Sequence, residues 1–227
     1  MPPIAVIAFD IDDTLYLERD YVRSGFQAVG DWCQANLGRS GFGASAWEAF
    51  QQGARRDIFD RVLGQWGVPI EQSLIGQLVA VYRRHDPHIA LLPDAAECLA
   101  RLHGRVRLAA ISDGPLASQQ AKVRRLGLDR WMDEIVLTDA LGPGCEKPNP
   151  KAFLRIQEKF QCTGAQCLYV ADNPAKDFRG PRQLGMTAIR VRRPEGLHYH
   201  LDPCSPADAP HLNVSNLADL PSLLIEK

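Results

Sequence analysis

Three aspartates stand within four residues near the start of the chain, in the run Phe9-Asp10-Ile11-Asp12-Asp13-Thr14. Carboxylates crowded this closely repel one another and resist ionising together unless a cation compensates them. An oxygen-only ligand set favours a hard divalent ion such as Mg²⁺. Three later places repeat the theme: Ser112-Asp113-Gly114, Lys147-Pro148-Asn149-Pro150, and Asp172-Asn173-Pro174 with Asp177 five residues after Asp172. Each has an ordinary explanation when taken alone. Ser112 can cap a helix, Lys147 can sit in solvent, and an aspartate after a strand commonly forms a turn or cap. Together, four strand-end elements in this order are improbable as coincidence.

The elements around these residues explain how they could meet. Residues 4–9 form a short apolar run that ends in carboxylates and predicts a buried strand. Further strands are predicted over 106–111, 135–138, 168–171 and 187–191, with helices over 94–103, 118–126, 150–160 and 176–184. Helix 150–160 opens with proline at its first position. Strand and helix in alternation predict an α/β fold, a doubly wound parallel sheet of Rossmann-like type. Ligands of such sheets bind at the C-terminal strand ends, where the polar residues named above fall. A less regular tail, 192–227, closes with a predicted short helix over 217–224.

Residues 16–88 differ in character. Val22, Phe26, Val29 and Cys33 recur at helical spacing, as do Trp47, Phe50, Ala54, Ile58 and Val62, and Leu74, Leu78, Val81 and Tyr82. This predicts a small helical cap domain over 16–88 inserted into a core of 1–15 and 89–227. Leaving the first strand at its C-terminal end, such an insertion is expected to act as a lid. Its Arg19, Arg23, Arg55, Arg56, Arg83 and Arg84 are candidates to grip a second anionic group, at most one of each adjacent pair, against the plainer reading of a solvated helix face.

In these motifs the chain resembles the haloacid dehalogenase-like hydrolase superfamily, in its phosphatase branch with a helical cap after the first motif. Asp10-Ile11-Asp12-Asp13-Thr14 matches the first motif, Ser112 the second, Lys147 the third, and Asp172 with Asp177 the fourth. Two departures stand out: Ala171 replaces a frequent glycine, and Asp113 a frequent asparagine. The resemblance implies Asp10 as nucleophile, forming an aspartyl-phosphate, and Asp12 as general acid and then base. It implies Mg²⁺ held by the Asp10 carboxylate, the Asp12 backbone carbonyl and Asp172. Lys147, Ser112 and the Asp113 backbone N–H would bind the phosphate, with the Asp113 carboxylate turned away. Thr14, Asn173 and Asp177 would orient these groups. The expected substrate is a small phosphorylated metabolite: a sugar phosphate, an acylneuraminate phosphate or a nucleotide monophosphate. A phosphosugar mutase of the same fold and a non-catalytic binding domain are the alternatives. Dehalogenation is disfavoured, because a halide leaves without the proton that Asp12 supplies.

Composition bounds the partners. The 227 residues carry 26 Lys and Arg against 27 Asp and Glu, a formal charge of −1. That balance lacks the basic excess of proteins that live on nucleic acid or membrane phosphates. No apolar run approaches the roughly 20 residues that span a bilayer. The N-terminal residues do not resemble a signal peptide, so a cytoplasmic monomer or homodimer is expected. The six cysteines contain no C-x-x-C pair and are expected as free thiols.

Overall fold

The structure is a computed structural model and describes residues 3–225. The chain forms two compact units, one running to Glu18 and resuming at Ile89, the other Arg19–His88. Residues 16–18 thus group with the core. The reason is local: the Tyr16 hydroxyl donates to Asp12, and the Glu18 N–H to Asp13.

Four helices make the second unit: α1 (Glu18–Leu37), which starts at the last residue of the first segment, α2 (Phe42–Gln51), α3 (Ile58–Gln65) and α4 (Gln72–Arg84). Val22, Phe26, Val29 and Cys33 are all buried on α1, as their spacing predicts. The stripe from Trp47 to Val62 is instead shared between α2 and α3, because Gly53 turns the chain at positive φ between them. Gly30 and Gly43 let α1 and α2 touch; a Cβ on Gly43 would lie 2.9 Å from the Phe26 carbonyl oxygen. Phe26, Phe42, Phe59, Trp66 and Tyr82 fill the space beside them edge to face and tilted. Arg55 is committed within this unit, donating to the Phe50 and Ala54 carbonyls and lying over the Phe50 ring. Arg19 and Arg23 lie against Trp47.

The larger unit is a six-stranded parallel sheet: β1 (Val6–Phe9), β2 (Arg107–Ser112), β3 (Glu134–Leu137), β4 (Cys167–Ala171), β5 (Thr187–Val191) and β6 (Leu212–Val214), in the order β3-β2-β1-β4-β5-β6. The expected doubly wound α/β fold is therefore present. Its helices are α5 (Pro93–Leu102), α6 (Leu116–Leu126), α7 (Lys151–Phe160), α8 (Arg179–Gln183) and α9 (Leu220–Ile225). β1 and β4 are buried at every position, so both faces of the sheet centre are covered. On one face Val6, Ala8, Ala109, Ile111, Tyr169 and Ala171 pack with Phe153 and Ile156 of α7. No helix among the described residues is long and apolar enough to cross a membrane. All six cysteines are free thiols.

Register positions the chemistry. Phe9 pairs with Ala110 of β2 and Val170 of β4, so Asp10, Ser112 and Asp172 leave the sheet within about one residue of the same level. The first strand starts at Val6 rather than at residue 4, and the second ends on Ser112. Pro150 stands just before α7 instead of within it, and the Asn149 side chain accepts the Lys151 N–H. The helix expected over 176–184 shrinks to Arg179–Gln183 because Asn173 and Asp177 fold the preceding residues into a turn. The tail helix starts at Leu220, since Leu217 is held by its N–H on Asp94.

Gly180 brings α8 against the loop that carries Lys147. A Cβ there would lie 2.6 Å from the Pro148 carbonyl oxygen and 3.0 Å from the Phe153 ring. Gly180→Ala is expected to lower stability by about 1–3 kcal/mol, read as a fall in the urea midpoint at unchanged slope; an unshifted midpoint would show that the loop gives way freely.

Candidate active site

The four polar strand ends converge in the larger unit. Asp10 is the first residue after β1, and its N–H donates to the Val170 carbonyl. Its carboxylate is buried and accepts a charged hydrogen bond from Lys147 Nζ. Lys147 Nζ also lies 2.8 Å from Asp177 Oδ1 and 3.0 Å from the Tyr169 hydroxyl. The Lys147 and Asp177 side chains are both 0% exposed. Asp172 is buried too, and its Oδ2 has no hydrogen-bond partner.

One carboxylate oxygen from each of Asp10, Asp172 and Asp177 lies within 4.8 Å of the others. Burial pushes Asp10 up to about 7 despite the Lys147 charge. Burial, with the charges of Asp177 and Asp10, lifts Asp172 well above the carboxylate range. Burial alone would lower Lys147, but Asp10 and Asp177 hold it firmly protonated. One lysine does not balance three acids. The unpartnered oxygen of Asp172 and the all-oxygen donor set fit a hard divalent cation such as Mg²⁺. Both Asp177 oxygens are already engaged, Oδ1 by Lys147 and Oδ2 by the Asn173 N–H at 2.9 Å. Asp10 and Asp172 are the freer donors.

Asp12 stands apart from this cluster. Its Oδ1 accepts from Lys122 Nζ at 2.6 Å and from the Tyr16 hydroxyl. Burial would raise its pKa, yet the charge and hydrogen bond of Lys122, with the bond from Tyr16, bring it below the usual value. Asp13 adopts positive φ and turns its carboxylate outward to the N–H groups of Glu18 and Leu197, a conformation an aspartate tolerates. Thr14 offers its carbonyl to the Arg193 guanidinium, while its hydroxyl is buried without a partner.

Ser112 is buried and donates to Gln119 Oε1 at 2.7 Å. The Asp113 carboxylate accepts from Thr138 Oγ1 and the Lys147 N–H, and pairs with Lys176 Nζ at 2.9 Å. It braces two loops and its side chain is fully occupied by them. Asn173 caps its own turn by accepting the Ala175 N–H, and its amide nitrogen lies 3.2 Å from His198.

Several residues at the site carry no sequence motif. Gln119 and Lys122 read as solvated positions of a polar helix, yet both are buried; their spacing of three on the helix after Ser112 was the available signal. Tyr16, Tyr169 and Lys176 gave none. Glu18, whose pKa burial raises to about 8, also joins this neighbourhood. Arg190, among the largest fully buried side chains, donates to the carbonyls of Asp172 and His198.

Comparison with known proteins agrees with this fold. The profile of a family described as haloacid dehalogenase-like hydrolase matches residues 4–185. The glyceraldehyde 3-phosphate phosphatase of Methanopyrus kandleri is 28% identical over 231 residues, 96% of this chain and 95% of that protein. A Bacillus subtilis HAD-hydrolase, YfnB, whose structure is described as bound to magnesium, superposes with a TM-score of 0.72 at 17% identity, covering 98% and 99% of the two chains. The L-2-haloacid dehalogenase of Xanthobacter autotrophicus superposes with a TM-score of 0.62 at 26% identity, covering 97% and 98%.

Replacing Arg190 by methionine strands the carbonyls of Asp172 and His198. Unpaired buried acceptors cost about 1–3 kcal/mol each, so Arg190→Met is expected to lose about 2–5 kcal/mol in urea unfolding. A stability equal to that of the native protein would mean that water replaces the guanidinium.

Proposed function

This chain belongs to the haloacid dehalogenase-like hydrolase family, and from that premise we propose that it is a Mg²⁺-dependent phosphomonoesterase acting on a small phosphorylated metabolite. The observation that carries the reading is the separation of Asp12 from the Asp10, Asp172 and Asp177 cluster. It leaves one acid for attack, others for a cation, and one for proton transfer. Two neighbouring acids in different environments are the usual mark of divided nucleophilic and acid–base roles. The same feature argues against a dehalogenase, which has no use for a held acid at position 12.

In this reading Asp10 and Asp172 would hold the ion, which would supply charge neutralisation to the phosphoryl oxygens. Asp177 fixes Lys147, and Lys147 steadies the Asp10 carboxylate and stands ready to share its charge with the phosphoryl group. A carboxylate oxygen of Asp10 attacks phosphorus, and the bond from phosphorus to the ester oxygen breaks. Asp12, held below the usual carboxylate range in the free protein, takes up the proton that a phosphate monoanion brings and gives it to that departing oxygen, leaving an aspartyl-phosphate and the free alcohol. Water then attacks phosphorus, Asp12 takes the proton, and inorganic phosphate leaves Asp10. Ser112 and the backbone N–H of Asp113 receive the phosphoryl oxygens. The name of the Methanopyrus kandleri relative favours a short primary phosphate ester among the substrates.

Phosphate release from a panel of phosphorylated metabolites, glyceraldehyde 3-phosphate included, tests the reading directly. Activity is expected with Mg²⁺ and not after exhaustive EDTA. Binding to the folded state alone adds about 2.7 kcal/mol at 100 times the dissociation constant, so Mg²⁺ is also expected to raise the melting temperature, and Asp172→Asn to cancel that rise. Silence across the panel, or full activity in EDTA, would end this proposal.

The two acids separate kinetically. Asp10→Asn is expected to abolish both turnover and phosphoryl transfer to the protein. Asp12→Asn is expected to slow both half-reactions by about 10²–10⁴-fold, with the first step less affected on an aryl phosphate whose leaving group needs little protonation. Rapid quench should then show a burst of phenol followed by slow turnover. Equal loss on aryl and alkyl esters with no burst would remove Asp12 from proton transfer.

A further inference from the structure

Lys122 is a charged side chain on α6, 4% exposed, for which the steps above provide no part. Its Nζ donates to Asp12 Oδ1 at 2.6 Å, and the Tyr16 hydroxyl donates to the same oxygen. Oδ2 of Asp12 accepts no hydrogen bond among the described residues and is not one of the buried unpartnered oxygens, so it is open to a reacting group. The terminal torsion of an aspartate is broad and roughly two-fold. Two donors from different directions on one oxygen fix that torsion and aim the other oxygen.

Glu18 is a further acid beside Asp12 and Lys122, and most other charges nearby are paired. Lys176 is paired with Asp113, Lys147 with Asp10 and Asp177, and Asp13 with two backbone N–H groups. Gln119, three residues before Lys122, performs the matching service for Ser112. One face of α6 therefore reaches both the Asp12 carboxylate and the Ser112 hydroxyl.

Resting on the phosphatase reading, we propose that Lys122 is a positioning residue for proton transfer: with Tyr16 it locks the plane of the Asp12 carboxylate so that Oδ2 faces the leaving-group oxygen. The alternative is that Lys122 only balances a buried charge, or that it grips the substrate. A misplacement of about 1 Å in a reacting group can cost ~10²-fold in rate, and the leaving group reports whether that loss lies in proton transfer.

The test is steady-state kinetics on an alkyl and an aryl phosphate with Lys122→Met, Lys122→Arg and Tyr16→Phe, with thermal melts alongside. Lys122→Met is expected to lose about 10²-fold in kcat on the alkyl ester, less on the aryl ester, with KM little changed. Lys122→Arg should restore most of the rate. Tyr16→Phe removes the other donor without altering charge and should give the same leaving-group pattern in smaller measure, which keeps the test sharp even where Lys122→Met unfolds. A raised KM at constant kcat, an equal loss on both esters, or no loss at all would overturn the proposal. An inactive native protein overturns the phosphatase reading and this inference with it; an active one insensitive to these changes overturns this inference alone.

Discussion

The Lys147 ammonium, fully buried between Asp10 and Asp177, is the constraint on which the larger unit is built. Removing an ion from water costs several kcal/mol even after relaxation, and the partners must repay that through close, well-aligned hydrogen bonds. Lys147 obtains three, from two carboxylates and Tyr169. Those partners come from three separate places in the chain, so their meeting fixes the register of β1 against β4 and the path of the loop before α7. Gly180 is bare because that loop needs the room. Burial raises Asp10 and Asp172 above the usual carboxylate range, and neighbouring carboxylates add to it. An all-oxygen donor set of this kind fits a hard cation.

Six aspartates around the strand ends share one side chain and have three fates. Asp10, Asp172 and Asp177 point into a common space. Asp13 and Asp113 face backbone N–H groups, a hydroxyl and a lysine, and serve as braces. Asp12 is held by a lysine and a tyrosine yet keeps an oxygen open. Residue type alone assigns none of these fates. The donor that each carboxylate meets within hydrogen-bonding distance does.

That distinction marks how far the sequence could be read. The strands β1 to β5, and the acids after β1, β2 and β4, were legible because a buried parallel strand is a short apolar run and the polar residues follow at its end. β6 escaped: three residues at a sheet edge, mostly exposed, leave no hydrophobic pattern. The break between α2 and α3 escaped because helical spacing continues through it by coincidence, and only the positive φ of Gly53 ends it. At the site, Asp10, Lys147 and Asp172 were named from their motifs and do lie together. Asp177, expected to orient these groups, lies beside them with its oxygens engaged by Lys147 and the Asn173 N–H. Lys122, Gln119 and Tyr169 went unread because a polar residue on a helix, or a tyrosine in a strand, has an ordinary explanation until its partner is known.

These buried polar groups are costly in the way that functional residues generally are. α6 buries Ser118, Gln119 and Lys122 where an apolar face would contribute more to folding, and Arg190 fills core volume with a guanidinium rather than a hydrocarbon. Replacing a buried ion pair by well-packed apolar residues is often neutral or stabilising, so stability alone gives little ground for this arrangement. What the charges achieve is direction: Arg190 fixes the Asp172 backbone, Gln119 the Ser112 hydroxyl, Lys122 the Asp12 carboxylate, and Asp177 the Lys147 ammonium. On the proposed reading, Ser112, Asp12, Lys147 and the Asp172 backbone are thus each held by another polar group. Because phosphoryl transfer depends on placement more than on covalent reactivity, the stability given up in these buried bonds is what keeps the reacting groups in line.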